Sequence, residues 1–386
     1  MTYPEIFLAI DNCFASKRYT EPADWASLIS NLGIRYIEAS ADNECDPLYQ
    51  GTAYLGRWVG KVQSACMKSG VSVCNLYSGH GTYSTLGLGH TDPEVRSRML
   101  NNWLKPMVET AGALGAGLGF FCHAFSNPVL QDPEVYRKYY DELINNLAEA
   151  AFFAEASGCR AIGLEQMYSP HQVPWTIAGA WDLISRVSAA AGSPFYITID
   201  TGHASGQRNF LRPHKESVLR ALETGNERVW LGPDSAWKLL EERRKTEDGR
   251  REDVADLIIL ETNKYPYLFA GEEDGDTYRW LEEFACFSPI IHLQQTDGTV
   301  SGHWPFTKAN NEKGIIDGSR VLSAIRTSYE HPQALPIRKA GRLYLTIEVF
   351  ASTGSMNYFT IKELEETVMY WRQFIPQDGL RLDQLI

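Results

Sequence analysis

The sequence has no field of positive charge. Its 36 Lys and Arg residues stand against 48 Asp and Glu, a formal net charge of -12. That balance argues against a nucleic-acid or anionic-membrane partner, whose recognition needs clustered Lys and Arg. The single basic cluster, Glu241 to Lys245 with Arg250 and Arg251, is interleaved with acids and reads as a solvated helix face. Long apolar runs are also missing. The longest small-apolar stretch, Ala111 to Phe121, is too short and too glycine-rich to span a bilayer. The start, Met1-Thr2-Tyr3-Pro4-Glu5, carries no basic region and leads into a brief apolar run, so no signal peptide is expected. Cysteine is sparse and irregular: seven residues, an odd number, with no disulfide or zinc spacing. Cys74, Cys122 and Cys286 lie in or beside apolar segments as small core residues, which suits a reducing, cytoplasmic setting. No G-x-G-x-x-G follows any strand, which weakens a dinucleotide-binding reading. There is no low-complexity segment.

What the chain does have is a repeated alternation of strand and helix. Strands are predicted at Ile6 to Ile10, Tyr36 to Glu38, Val71 to Tyr77, Leu118 to Cys122, Ala161 to Leu164, Phe195 to Ile199, Pro289 to Gln294 and Leu343 to Ile347. Helical spacing fills the gaps, for instance Leu55, Val59, Val62 and Cys66 on one face. Asp92-Pro93-Glu94 and Asp132-Pro133-Glu134 each read as a cap followed by a first-turn proline. Units of roughly thirty residues match a (β/α)8 barrel, with parallel strands and helical crossovers. The expected fold is therefore an α/β TIM barrel occupying the single domain 1–386. An open doubly wound sheet is the runner-up. Residues 204–288 interrupt the rhythm as a long, mostly helical insertion after the sixth strand, expected on the active-site face. A lid, a wall setting substrate size and a subunit contact remain alternatives for it.

Strands five to eight end in oxygen-bearing side chains. These are Glu165 in G-L-E-Q-M, Asp200 in T-I-D-T-G-H, Gln294 in I-H-L-Q-Q-T-D-G and Glu348 in L-T-I-E-V-F. Adjacent barrel strands project such residues into one mouth. Three carboxylates that close repel one another unless a cation lies between them. Carboxylates and an amide oxygen are hard ligands, which favour Mg²⁺ or Mn²⁺.

With these motifs in hand, the chain resembles the xylose-isomerase-like barrels, the sugar isomerase and epimerase superfamily, from about Ile6 to Phe374. That group includes ketose 3-epimerases, hydroxypyruvate isomerases and inosose dehydratases. The resemblance implies a metal held by Glu165, Asp200, Gln294 and Glu348, with Glu165 and Glu348 also moving protons. The seventh-strand motif departs from the commoner H-x-H: it is His292-Leu293-Gln294, matching the H-x-Q of the hydroxypyruvate-isomerase branch. His203, three residues after Asp200, matches a substrate-contacting His of the family. His292 could bind substrate or be a satisfied core histidine. His80, His123 and His171 follow strand ends and are further substrate-binding candidates. His171 stands six residues after Glu165, where the 3-epimerases carry a second substrate-contacting Glu. Trp175, Trp304 and Phe306 are candidates for an apolar wall, and Arg208, Arg212 and Lys215 for a substrate anion.

The implied activity is a metal-dependent isomerase or epimerase acting on a small ketose, sugar phosphate or keto-sugar acid through a metal-bound cis-enediolate. The alternative is a lyase, dehydratase or decarboxylase on a keto-sugar acid or inosose-like substrate, sharing that first step. The expected partner is a small carbohydrate, with neither nucleic acid nor membrane, and barrels of this family are often homo-oligomers (dimers or tetramers).

Overall fold

Eight short strands alternate with helices, and their hydrogen bonds close into a ring. The computed structural model describes residues 2–79, 82, 84–224, 228–244, 251–331 and 337–386. The strands are β1 (Glu5–Asp11), β2 (Tyr36–Ser40), β3 (Ser72–Ser78), β4 (Gly117–Phe120), β5 (Ile162–Glu165), β6 (Tyr196–Asp200), β7 (Ile290–Leu293) and β8 (Arg342–Ile347). Each pairs in parallel with its sequence neighbour. β1 pairs with β8 from Glu5–Arg342 to Ile10–Ile347 and with β2 from Ala9–Tyr36 to Asp11–Glu38, which closes the barrel. A ninth strand that the sequence does not announce, β9 (Leu380–Arg381), adds antiparallel to the start of β1.

Side chains alternate along each strand, so every second residue faces the barrel interior. At the bottom the interior is aromatic: Phe7 stacks on Tyr344 at 5.1 Å and meets Tyr36 edge-on at 4.9 Å. Two residues further along the same strands the interior carries Ala9, Glu38 and Thr346, and Asp11, Ser40 and Glu348 follow at the carboxyl ends. The outer faces of the strands pack against the helices, where Trp25, Trp58, Trp103, Trp280 and Trp371 are fully buried. Truncating such a residue costs about 3–5 kcal/mol.

The caps at Asp92 and Asp132 form as the sequence suggests, each carboxylate accepting the N–H two residues on, at 2.8 and 2.9 Å. The helix that Asp92 starts is not uniform. It runs Pro93–Arg98, widens into a π-helical stretch Met99–Leu104, and resumes at Lys105–Leu114. Pro106 explains the change: it has no N–H to donate and its ring would collide with the carbonyl four residues back.

After β6, helices Lys215–Thr224, Asp234–Arg244 and Arg251–Thr262 enclose a separate apolar cluster around Val218, Leu231, Leu240 and Ile258. The helix Thr277–Phe284 behaves differently. Its Trp280, Leu281 and Phe284 belong to the main core, so it is the sixth helix of the barrel itself.

Candidate metal centre and active site

The acidic end of the barrel is built from the last inward-facing residues of four strands. Glu165 ends β5, Asp200 ends β6, His292 lies inside β7 and Glu348 follows β8. One ligand atom from each lies within 4.8 Å of the others, and all four residues are buried. Asp200 is fixed by its own turn: its Oδ1 accepts the N–H groups of Gly202 and His203 at 2.6 and 3.1 Å. Gly202 has no replacement there, because a Cβ would come within 2.4 Å of the Gln294 carboxamide.

His292 is the centre of the arrangement. Its Nδ1 donates to Glu165 Oε1 at 2.8 Å and stands 3.4 Å from Glu348 Oε2, while Nε2 donates to Glu38 Oε2 at 2.8 Å. Tyr77 adds a hydroxyl donor to Glu165 Oε2. Glu38, fully buried on β2, is completed by Asn75 Nδ2 at 2.6 Å. Burial alone would lower the His292 pKa, but Glu348, Glu38 and Glu165 outweigh it and hold the imidazole well above its ordinary value. Glu348 moves up, through burial first and then the charges of Asp200 and Glu165. Asp200 moves down: burial opposes ionisation there, but His203, His303 and His292 prevail. Glu348 is thus the carboxyl that keeps a proton so that Asp200 can ionise, the usual outcome where like charges crowd.

A cation fits this donor set. The Oε2 of Glu348 has no hydrogen-bond donor although it is buried, and only positive charge lets all three carboxylates ionise together. Binding must then displace the proton on Glu348. We expect Mn²⁺ binding to the metal-free protein to release protons. Its affinity should rise with pH from the ordinary carboxylate range up to the raised pKa of Glu348 and level off above it. Calorimetry in buffers of different ionisation enthalpy measures the proton count, and an affinity that is flat between about pH 5 and 8 would contradict the assignment.

Above this floor lies a cavity of about 190 Å³. Its walls include Tyr77, Phe121, Tyr168, His203, His303 and Phe350, with Asp11, Glu165 and Glu348 below. Of the sequence candidates, His203 is a wall residue, its Nδ1 donating to the Gln166 carbonyl at 2.6 Å. His292, offered as a substrate contact, has no exposed surface and lies beneath the cavity, between carboxylates. His123 and His171 lie outside the cavity lining. His123 faces Gln172 at 3.0 Å, and the exposed His171 bonds the Phe125 carbonyl at 2.8 Å. His80 lies outside the described residues.

Gln294, the fourth expected ligand, presents its amide nitrogen to Asp200 Oδ1 and Oδ2 at 2.7 and 2.9 Å. The reason is the loop after β7, whose His303 N–H donates to Gln294 Oε1 at 2.6 Å. The expected aromatic wall also differs. Trp175 and Phe306 are core residues and Trp304 carries Lys313 over its ring, so none of the three lines the cavity. The cationic trio is engaged elsewhere: Arg208 holds the carbonyls of Gly275 and Gly298, Arg212 bonds Asn263, and Lys215 pairs with Asp256. Sequence reasoning missed His303, which comes from a loop and adopts a left-handed φ of 47°. Its Nδ1 lies 3.2 Å from Glu348 Oε2, and its ring stacks on Phe350 at 4.1 Å.

The ring of parallel strands has recognisable relatives. A family model described as xylose isomerase-like TIM barrel matches residues 26–229. The chain belongs to that family. The D-erythrulose 1-phosphate 3-epimerase of Brucella abortus is 24% identical over 311 residues, spanning 80% of this chain and 79% of that protein. A xylose-isomerase-type protein of Rhodospirillum rubrum superposes with a TM-score of 0.68 at 17% identity, covering 95% of this chain and 99% of the other. A D-psicose 3-epimerase of Clostridium cellulolyticum, solved with D-tagatose, gives 0.52 at 10% identity over 95% and 98% of the two chains. At these identities the structural likeness is one of fold. No helix among the described residues is long and apolar enough to cross a membrane.

Proposed function

We propose that the protein is a divalent-metal-dependent epimerase of a small ketose, with Glu165 and Glu348 as its paired acid and base. One observation carries this reading: two glutamates, at the ends of β5 and β8, line the floor of one cavity and converge on the buried Asp200 and His292 beneath it. Glu165, Asp200 and Glu348 would hold the ion, with Gln294 bracing Asp200. When bound, it supplies positive charge to the carbonyl and hydroxyl oxygens of an α-hydroxy-ketone.

The remaining work falls to the chain. One glutamate takes the proton from the hydroxyl-bearing carbon, and the electron pair spreads over both oxygens as an enediolate. The second glutamate returns a proton to the same carbon from the other side, inverting it. His292, fixed on Glu165 by its Nδ1–H, holds that carboxylate in place, and Tyr77 holds its other oxygen. The cavity is smaller than the ~300–1,000 Å³ of typical ligand pockets, which suits a short sugar. Its described lining offers carboxylates, hydroxyls, aromatic rings and the imidazoles of His203 and His303 but no Lys or Arg, a surface that favours an uncharged polyol over a phosphate ester.

Proton NMR in D₂O tests the reading, with ketoses and their phosphate esters as substrates, in Mn²⁺ or Mg²⁺ and again in EDTA. We expect metal-dependent loss of one carbon-bound proton signal and growth of the epimer. The free ketose should be preferred by at least about tenfold, equivalent to roughly 1.4 kcal/mol. Release of water or CO₂ would move the assignment to a lyase, and exchange unaffected by EDTA would end the metal-dependent reading.

A further inference from the structure

The carboxylates at the acidic end outnumber what one ion can balance. Asp11, Glu38, Glu165, Asp200 and Glu348 are all buried, each at most 3% exposed. If all five ionise around a single divalent ion and the His292 imidazolium, a formal charge of minus two is left out of reach of water; a second ion that replaces one imidazolium proton reduces it to minus one. The second location is already outlined. Asp11, Glu38 and His292 bring one ligand atom each within 4.8 Å of one another. His292 divides its two nitrogens between the sides, Nδ1 toward Glu165 and Nε2 toward Glu38. Asp11 is 1% exposed, spends Oδ1 on the Cys13 N–H at 2.6 Å, and leaves Oδ2 with no donor at all. A buried carboxylate oxygen with no partner is costly unless something positive meets it.

We propose that Asp11, Glu38 and His292 form a second divalent-cation site, beside and beneath the first. The donor set, two carboxylate oxygens and one imidazole nitrogen, suits a first-row divalent ion such as Mn²⁺. The cation takes the place of the proton on Nε2, and that proton leaves to solvent. Nδ1 keeps its proton and its 2.8 Å bond to Glu165, the arrangement in which a metal-bound histidine gives its other N–H to a carboxylate. The second ion thereby links Glu38 and Asp11 to the orientation of Glu165. Asp11 also lines the cavity, which gives the ion a path in.

The inference rests on the proposed function only in that a first ion is counted beside the second. The test strips the full chain with EDTA, reloads it with Mn²⁺ alone, counts metal per chain by atomic emission and native mass spectrometry, and locates it by anomalous scattering at the manganese edge. We expect two ions, one at each set of residues, and one ion in Asp11→Asn with its circular dichroism unchanged. A single ion at Glu165, Asp200 and Glu348 overturns this inference and leaves the proposed function standing. A single ion at Asp11, Glu38 and His292 does the reverse. No ion overturns both, and two ions retained in Asp11→Asn overturns the assignment of the second site.

Discussion

Glu165→Gln and Glu348→Gln are each expected to lower kcat by about 10²–10⁴-fold, the range a positioned acid or base supplies. The substitution keeps the volume and one oxygen of the side chain but removes a ligand charge, so metal counting on each variant and assay at saturating Mn²⁺ separate loss of the ion from loss of the acid or base. The two variants should also fail differently. If each glutamate serves one face of the reacting carbon, Glu165→Gln loses solvent exchange from one epimer and keeps it from the other. Glu348→Gln should show the opposite pattern. Proton NMR in D₂O, started separately from each epimer, reads this directly. Loss of exchange from the same epimer in both variants would remove the two-base mechanism. A decrease of less than about tenfold in either variant would remove that residue as acid or base, since it falls short of general-catalysis magnitudes.

Much of this site was open to inspection in the sequence, because strand ends are punctuated. Glu165, Asp200 and Glu348 each follow a short apolar run, and a polar residue at that point of a barrel strand has one direction to face. Glu38 shows where such reading stops. The predicted strand stops at Glu38, but the strand itself runs on to Ser40 in Y-I-E-A-S, and period-two alternation places Glu38 in the interior with Tyr36 and Ser40. What makes its burial tolerable is His292, 254 residues away, and no local pattern connects the two. Asp11 offered a similar signal, an acid closing β1. His303 offered less: its place over the floor depends on the Gln295–Trp304 bridge and on a backbone conformation few non-glycine residues adopt. The Gln294 contact is set in the same way, since a loop N–H decides which end of the carboxamide meets Asp200. Residue type at a strand end is local information. Which atom it presents is set by tertiary contacts.

His292→Leu tests the centre of that network. In the metal-free protein it is expected to destabilise the fold by about 3–5 kcal/mol, the range for breaking a buried ion pair from one side. Leucine fills the space, but Glu38 would keep only the Asn75 donor in a place with no exposed surface. The cost should depend on pH, and its sign follows from His292. In the wild type the imidazole's raised pKa contributes stability that is complete below its ordinary value of about 6.5 and is lost as pH rises through the folded value. The gap between the two proteins should therefore be full below about pH 6.5 and narrow as pH rises through the folded value of wild-type His292. Adding Glu38→Gln to the variant removes the stranded charge and should recover about 1–3 kcal/mol, a coupling energy typical of residues in direct contact. Urea unfolding in EDTA across this range measures both effects. A gap that does not change with pH, or a double variant no more stable than His292→Leu alone, would show that Glu38 does not depend on His292 for its charge.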